Sequence, residues 1–235
     1  MIGQESNPPA HNRFGHDLAP HSRAPQTSGG APDSTDFVSN SRHKSATSWP
    51  FGTMRPFSYG ALLVDPPWHF RNFSGKGEGK NPTAHYQCMS LDDIAALPVA
   101  HLAAPDCAMF MWATAPMLPD AVELMRKWGF AFKSSAAWAK QSSTGKAWAF
   151  GTGYVFRSAA EFVLVGTIGQ PRVQSRSVRN LIVAPVREHS RKPEEQYEMV
   201  EALYAGPYAE IFSRTSRPGW DCWGDEAGKF DEVAA

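Results

Sequence analysis

Asp65-Pro66-Pro67-Trp68 puts a carboxylate, two proline carbonyls and an indole in consecutive positions. The tetrapeptide closes the apolar run Ala61-Leu62-Leu63-Val64, which follows Gly60. Such a run reads as a buried strand, and it must stop at Asp65 because prolines donate no ladder hydrogen bonds. Ligands in open α/β sheets sit just beyond the carboxyl ends of strands, so the set is delivered to where a site forms. The chemistry it suits is activation of a weak nitrogen nucleophile. The exocyclic amine of a nucleobase has its lone pair delocalised into the ring. Asp65 and the Pro66 carbonyl can accept its N–H bonds and help the nitrogen become tetrahedral. Pro66 and Pro67 fix the direction of those acceptors. Trp68 offers a flat face on which an extruded base can stack, a contact of about 1–3 kcal/mol. The plainer alternative is a strand and a rigid Pro-Pro turn with Trp68 in the core.

A substrate with phosphates needs cations near that strand end. Arg71 to Asn81 alternates glycines with Lys76 and Lys80, a cationic loop placed to close over a polyanion. It lacks the spacing and following helix of a dinucleotide fingerprint. Ser142–Thr152, preceded by Lys140 and carrying Lys146 without an acid, reads as a second substrate loop. Arg172, Arg176, Arg179, Arg187, Arg191 and Lys192 are opposed only by Glu188. Phosphate contacts are therefore expected of Lys76, Lys80, Arg176, Arg179 and Lys192, against the alternative of solvated surface faces.

The elements that must position these residues follow from pattern. Residues 1–50 are rich in Pro, Ser, His and Asn without periodicity and are expected to form a disordered tail, with its histidines solvated rather than metal-bound. Residues 51–230 form one domain and 231–235 a short C-terminal tail. Strands are predicted at Cys107–Ala113, Phe130–Ala139, Glu161–Gly166, Asn180–Ala184 and Ala209–Phe212. Ser90 with Asp92 and Asp93 predicts a helix start. Ala121, Leu124, Met125 and Trp128 recur at helical spacing and stop at Gly129. Pro193 with Glu194 and Glu195 opens a further helix, whose buried stripe is Met199, Val200, Leu203 and Tyr204. Strands alternating with helices predict an α/β sheet, mostly parallel.

Composition narrows the setting. The chain has 235 residues, 42% of them hydrophobic, and zero formal net charge, so any nucleic-acid surface must come from local polarisation. Cys88, Cys107 and Cys222 show no CxxC or paired spacing, which argues against a disulfide framework or a zinc site, and no metal is expected. No signal sequence and no apolar run of about 18 residues is present. A soluble, reducing, cytoplasmic setting without membrane contact is the expectation.

In order along the chain, Leu63-Val64-Asp65-Pro66-Pro67-Trp68, Phe110-Met111-Trp112, the Glu161–Gly166 strand, His189-Ser190-Arg191-Lys192-Pro193 and Glu210-Ile211-Phe212-Ser213-Arg214 resemble the catalytic-subunit family of mRNA N6-adenosine methyltransferase and its bacterial and phage relatives. The closing Arg217-Pro218-Gly219-Trp220-Asp221-Cys222-Trp223-Gly224 looks like bacterial members. The resemblance runs from Tyr59 to about Gly228. It implies a Rossmann-like sheet, S-adenosyl-L-methionine as cofactor, and a permuted order with the Asp-Pro-Pro-Trp motif before the cofactor strand. By that match Asp65, Glu210, Phe212 and Arg214 border the cofactor, and Asp225 and Glu226 fall where the family contacts its ribose. Eukaryotic members carry a cofactor-contacting lysine before the acid matching Glu161. This chain has Ala160 there, with Arg157 as a nearby cation.

The expected function is adenine N6-methylation of nucleic acid, DNA before RNA, by a chain acting alone or in a homo- or heterodimer. Asp65 and Pro66 hold the amine, Trp68 stacks the base, and the amine proton leaves to solvent or Asp65. A non-catalytic nucleic-acid-binding subunit that keeps the fold is the alternative. Methylation of another planar amide is a third reading; similar motifs for that chemistry lead with Asn, and Asp65 speaks against it.

Overall fold

The computed structural model describes residues 49–68, 89–153, 155–188 and 190–231. Residues 1–48 of the expected N-terminal tail and the loop with Lys76 and Lys80 lie outside the described residues, while Trp49 packs on Phe51 and donates to the Met54 carbonyl at 2.9 Å. The strands are β1 (Tyr59–Val64), β2 (Ala103–Ala113), β3 (Ala131–Gln141), β4 (Ala160–Ile168), β5 (Leu181–Pro185), β6 (Tyr208–Ile211) and β7 (Trp220–Trp223). The helices are α1 (Leu91–Ala96), α2 (Leu118–Lys127) and α3 (Glu195–Leu203). The strands form a seven-stranded sheet in the order β5-β3-β4-β2-β1-β6-β7. Every pairing is parallel except those of β4, which runs antiparallel to both β2 and β3.

β1 lies mid-sheet between β2 and β6, and Ala61 to Val64 are fully buried. A strand covered on both faces reads as a continuous apolar run, as this one does. Leu62 and Val64 pack on one face with Ile94 of α1 and Ala121, Leu124 and Met125 of α2. Ala61 and Leu63 pack on the other with Tyr197, Met199 and Val200 of α3. Tyr59 joins the first face despite its odd position because the register slips between Tyr59 and Ala61. Gly60 sits at that slip. A Cβ there would lie 2.6 Å from the Ala205 carbonyl oxygen, so no other residue fits without moving backbone.

Local signals act where the sequence places them. Ser90 Oγ accepts the Asp93 N–H at 3.1 Å and caps α1. α2 opens with Pro119 and Asp120 in its first turn, ends on Arg126 and Lys127, and stops at Gly129, whose φ is +81°. α3 starts two residues past Pro193, and the Pro193 carbonyl accepts the Gln196 N–H at 3.2 Å. Among the described residues no helix is long and apolar enough to cross a membrane.

Candidate active site

Asp65 caps β1, with its N–H donating to the Ile211 carbonyl of β6 at 3.3 Å. β1 and β6 run parallel and in register through Val64 and Ile211, so Asp65 and Phe212 leave the sheet side by side. Phe212 takes φ +64°, a left-handed turn that costs a non-glycine residue about 1 kcal/mol. That turn brings Phe212 to Arg214 around a cavity of about 390 Å³. The cavity is bounded by Asp65, Pro66, Pro67 and Met89 on one side and by Trp223, Asp225 and Glu226 on another. Its volume falls in the range of small-molecule sites. A second cavity, about 680 Å³, opens on the far side of the same residues and shares Asp65 and Pro66 with the first.

Four indoles, Trp68, Trp112, Trp138 and Trp148, line the second cavity, and the first three are anchored. Trp68 donates to the Trp112 carbonyl at 3.0 Å, Trp112 to Gln196 Oε1 at 2.7 Å, and Trp138 to the Ala184 carbonyl at 2.9 Å. Trp68 lines this cavity, as a stacking role requires, but is only 5% exposed and packs largely into the core rather than standing open. An indole at the end of a buried strand finds more apolar contact inward than toward solvent. The Pro66 carbonyl accepts the Trp68 N–H at 2.8 Å, which fixes its direction.

The charges form one chain. Lys192 Nζ lies 2.9 and 2.8 Å from the two Asp65 oxygens and 3.5 Å from Glu161 Oε2. Glu161 also pairs with Lys140, and Arg214 lies 3.3 Å from Asp65 Oδ2 and 2.6 Å from the Ser190 carbonyl. Burial alone would raise the Glu161 carboxyl, but Lys192 and Lys140 outweigh it and hold it down at about 2. Burial likewise opposes charge on Lys192, yet Asp65 and Glu161 raise its ammonium above the ordinary lysine value. Lys192 lines the larger cavity but is not a solvated surface lysine: it is largely buried between two carboxylates, where a lone charge is costly and a paired one is not. Lys140, read as part of a substrate loop, is similarly committed to Glu161. These two lysines stand against Glu161, whereas Arg157 lies over the Phe150 ring.

Glu210 is buried one residue before the end of β6 and accepts from Tyr197 Oη at 2.8 Å and Ser213 Oγ at 3.0 Å. Burial, set against those two bonds, pushes its carboxyl up to about 7. It faces the narrow cleft behind Asp65 and Arg214 rather than the 390 Å³ cavity. Phe212, Arg214, Asp225 and Glu226 do line that cavity.

Arg176 and Arg179 are the clearest departure from the sequence reading. β4 is antiparallel, so the chain after it leaves the sheet at the end away from Asp65. Gln170 N–H there donates to Asp106 Oδ1 near the start of β2, and Gln174 N–H to the Leu203 carbonyl at the end of α3. The segment then rises along β5, the outer strand, and neither arginine lines a cavity that contains Asp65. Arg187 and Arg191 do line the larger cavity. Among the described residues no group of acids, histidines or cysteines could hold a metal ion.

Sequence comparison agrees with this geometry. The chain is 30% identical over 188 residues to the type II methyltransferase M.MunI of Mycoplasma sp, covering 72% of this chain and 77% of that protein. It is 30% identical over 175 residues to an Arabidopsis thaliana N(6)-adenosine-methyltransferase MT-A70-like protein, 72% of this chain but 24% of the plant protein. It is 25% identical over 191 residues to the human N(6)-adenine-specific methyltransferase METTL4, 75% of this chain and 39% of the human one. The chain therefore spans most of the bacterial relative and a minor part of the plant and human ones. The MT-A70 family matches residues 59–226, from the first residue of β1 to the second acid of the smaller cavity, and the chain belongs to that family.

Proposed function

We propose that the chain is an S-adenosyl-L-methionine-dependent N6-adenine methyltransferase acting on nucleic acid, with DNA favoured over RNA. The observation that carries the reading is the position of Asp65, at the end of the interior strand β1 and on the wall shared by both cavities. A donor in the smaller cavity and a base in the larger one meet at its carboxylate.

The smaller cavity fits the cofactor by chemistry. Met89, Phe212 and Trp223 give apolar walls for an adenine ring, Asp225 and Glu226 are acceptors for ribose hydroxyls, and Arg214 is a cation for a carboxylate. When bound, S-adenosyl-L-methionine supplies a methyl group on a positively charged sulfur. The chain's own groups prepare the amine. Asp65 accepts one amine N–H and the Pro66 carbonyl the other, each directed by bonds already in place. A carboxylate has about four lone-pair sites, so Asp65 keeps capacity beyond Lys192 and Arg214. Lys192 holds Asp65 oriented while the amine nitrogen gains tetrahedral character, and the displaced proton passes to Asp65 or to solvent. The anchored tryptophans exclude water from the far wall.

DNA is favoured because the Arg217–Gly224 segment resembles bacterial members and because the bacterial relative is matched over most of its length. The test is incubation with labelled cofactor and duplex DNA, single-stranded DNA or RNA, followed by digestion to nucleosides. N6-methyladenine from DNA is expected. Label in another nucleoside, or none with any substrate, would remove the reading.

A further inference from the structure

Residues 142–159 leave β3 at Gln141 and return to β4 at Ala160, at the end of the sheet where Asp65 stands. Among the described residues of this stretch, 142–153 and 155–159, the backbone is tied. Ser142 N–H donates to the Ala147 carbonyl at 2.7 Å, Ala149 N–H to that of Lys140 at 2.8 Å, and Gly151 N–H to that of Ser158 at 2.9 Å. Gln141 and Trp148 form an antiparallel bridge. A Cβ on Gly151 would lie 2.8 Å from the Ser158 oxygen, so the two arms close only over glycine. This hairpin nevertheless displays Trp148, Phe150 and Phe156 at 63%, 78% and 83% exposure. Large apolar side chains clustered on ordered backbone mark a binding surface. Trp148 and Phe150 line the same cavity as Asp65, so the surface continues the site.

Charge selects the occupant. Between Gln141 and Ala160 the charged residues are Lys146 and Arg157, with no acid among them. The Arg157 guanidinium lies 5.0 Å from the centre of the Phe150 ring. Flat rings interleaved with cations match flat bases joined by phosphates. We propose that Trp148, Phe150 and Phe156 form a ledge on which the unpaired nucleotides flanking the target base stack, with Lys146 and Arg157 on the intervening phosphates. The proposal rests on the nucleic-acid reading above and adds to it the way the strand is held.

The test uses the full chain and a single-stranded DNA oligonucleotide with one adenine among thymines, beside the same strand with abasic sites next to the adenine. Trp148→Ala, Phe150→Ala and Phe156→Ala should each weaken binding of the intact strand by about fivefold to a hundredfold. The abasic strand should bind the wild type more weakly by a similar factor and be indifferent to the substitutions. Phe150→Tyr should keep affinity and Phe150→Leu should lose it, because the ring and not its apolar area is read. S-adenosylhomocysteine affinity should not move in any variant. Equal weakening on both strands, or none on either, would overturn the ledge. So would a wild-type dimer in sedimentation that Trp148→Ala dissolves without changing DNA affinity, since the face would then belong to a protein contact. A wild type that methylates adenine while the variants bind normally defeats the ledge alone. A wild type that neither binds the strand nor methylates adenine defeats the functional reading with it.

Discussion

Lys192→Met isolates the buried charge chain. In the native protein Lys192 contacts both Asp65 oxygens, approaches Glu161, and leaves 11% of its side chain exposed. Removing one partner of a buried pair costs about 3–5 kcal/mol, because the remaining charge is left uncompensated. Arg214 stays beside Asp65 and Lys140 beside Glu161, so the lower end, about 3 kcal/mol, is expected. For a domain of roughly 150–250 residues that lowers Tm by about 6–12 °C. The pH dependence gives the sharper signature. Glu161 is held at about 2 against an ordinary 4.5, so its stabilising contribution is present above the ordinary value and is lost as pH falls toward 2. In the variant Glu161, left with Lys140 alone, holds its proton more tightly. The deficit should be full near pH 7 and shrink as pH falls through about 4.5. Calorimetry at about pH 7.5 and about pH 4.5 measures both, and Lys192→Met combined with Glu161→Gln should recover part of the loss at the higher pH. A Tm change below about 2 °C, equal at both pH values, would refute the pairing and return Lys192 to the surface role its sequence context suggested.

Asp65→Asn should lower kcat by at least about a hundredfold while cofactor affinity holds, since an amide N–H₂ stands where an acceptor is needed; single-turnover kinetics with near wild-type rates would take Asp65 out of the chemistry. Glu210→Gln tests the opposite sign. Burial raises Glu210 to about 7, so its contribution is fully present below the ordinary 4.5 and is lost as pH rises through 7. Urea unfolding should therefore show the variant more stable than wild type above pH 7, by up to about 3 kcal/mol, and equal to it near pH 4.5. Arg176→Ala with Arg179→Ala should leave the salt dependence of nucleic-acid affinity unchanged, because both lie away from the Asp65 cavities; a slope flattened by about one unit per residue would put them on the phosphates.

What the sequence made legible were features whose cause is local. The Ser90 cap, the Gly129 stop and the Ala61–Val64 run each act within a few residues, and each stands where its pattern puts it. β7 leaves no strand signal because Trp220-Asp221-Cys222-Trp223 is short and its apolar side chains do not alternate cleanly. Strand direction was harder still. Glu161–Gly166 reads the same parallel or antiparallel, yet its reversal decides that Arg176 and Arg179 leave the site end. Lys192 and Lys140 carry no mark that distinguishes a buried ion pair from a solvated lysine; only Glu161, brought from another strand, makes the difference. The motif marks Trp68 as a site residue but not how deeply it is buried, because that depends on Trp112 and Met89, both distant in sequence.

The reversal of β4 also sets apart one stretch of chain at the rim of the sheet. Because β4 folds back beside β3, the chain that leaves the sheet at Gln141 returns at Ala160 to the same rim, beside the same cavity. Such an excursion can be lengthened, shortened or exchanged without rethreading a single strand. Asp65, Phe212 and Arg214 have no such latitude, being fixed to adjacent strands in mid-sheet. The fold thus sets one replaceable hairpin beside a rim whose residues are held by the strands themselves.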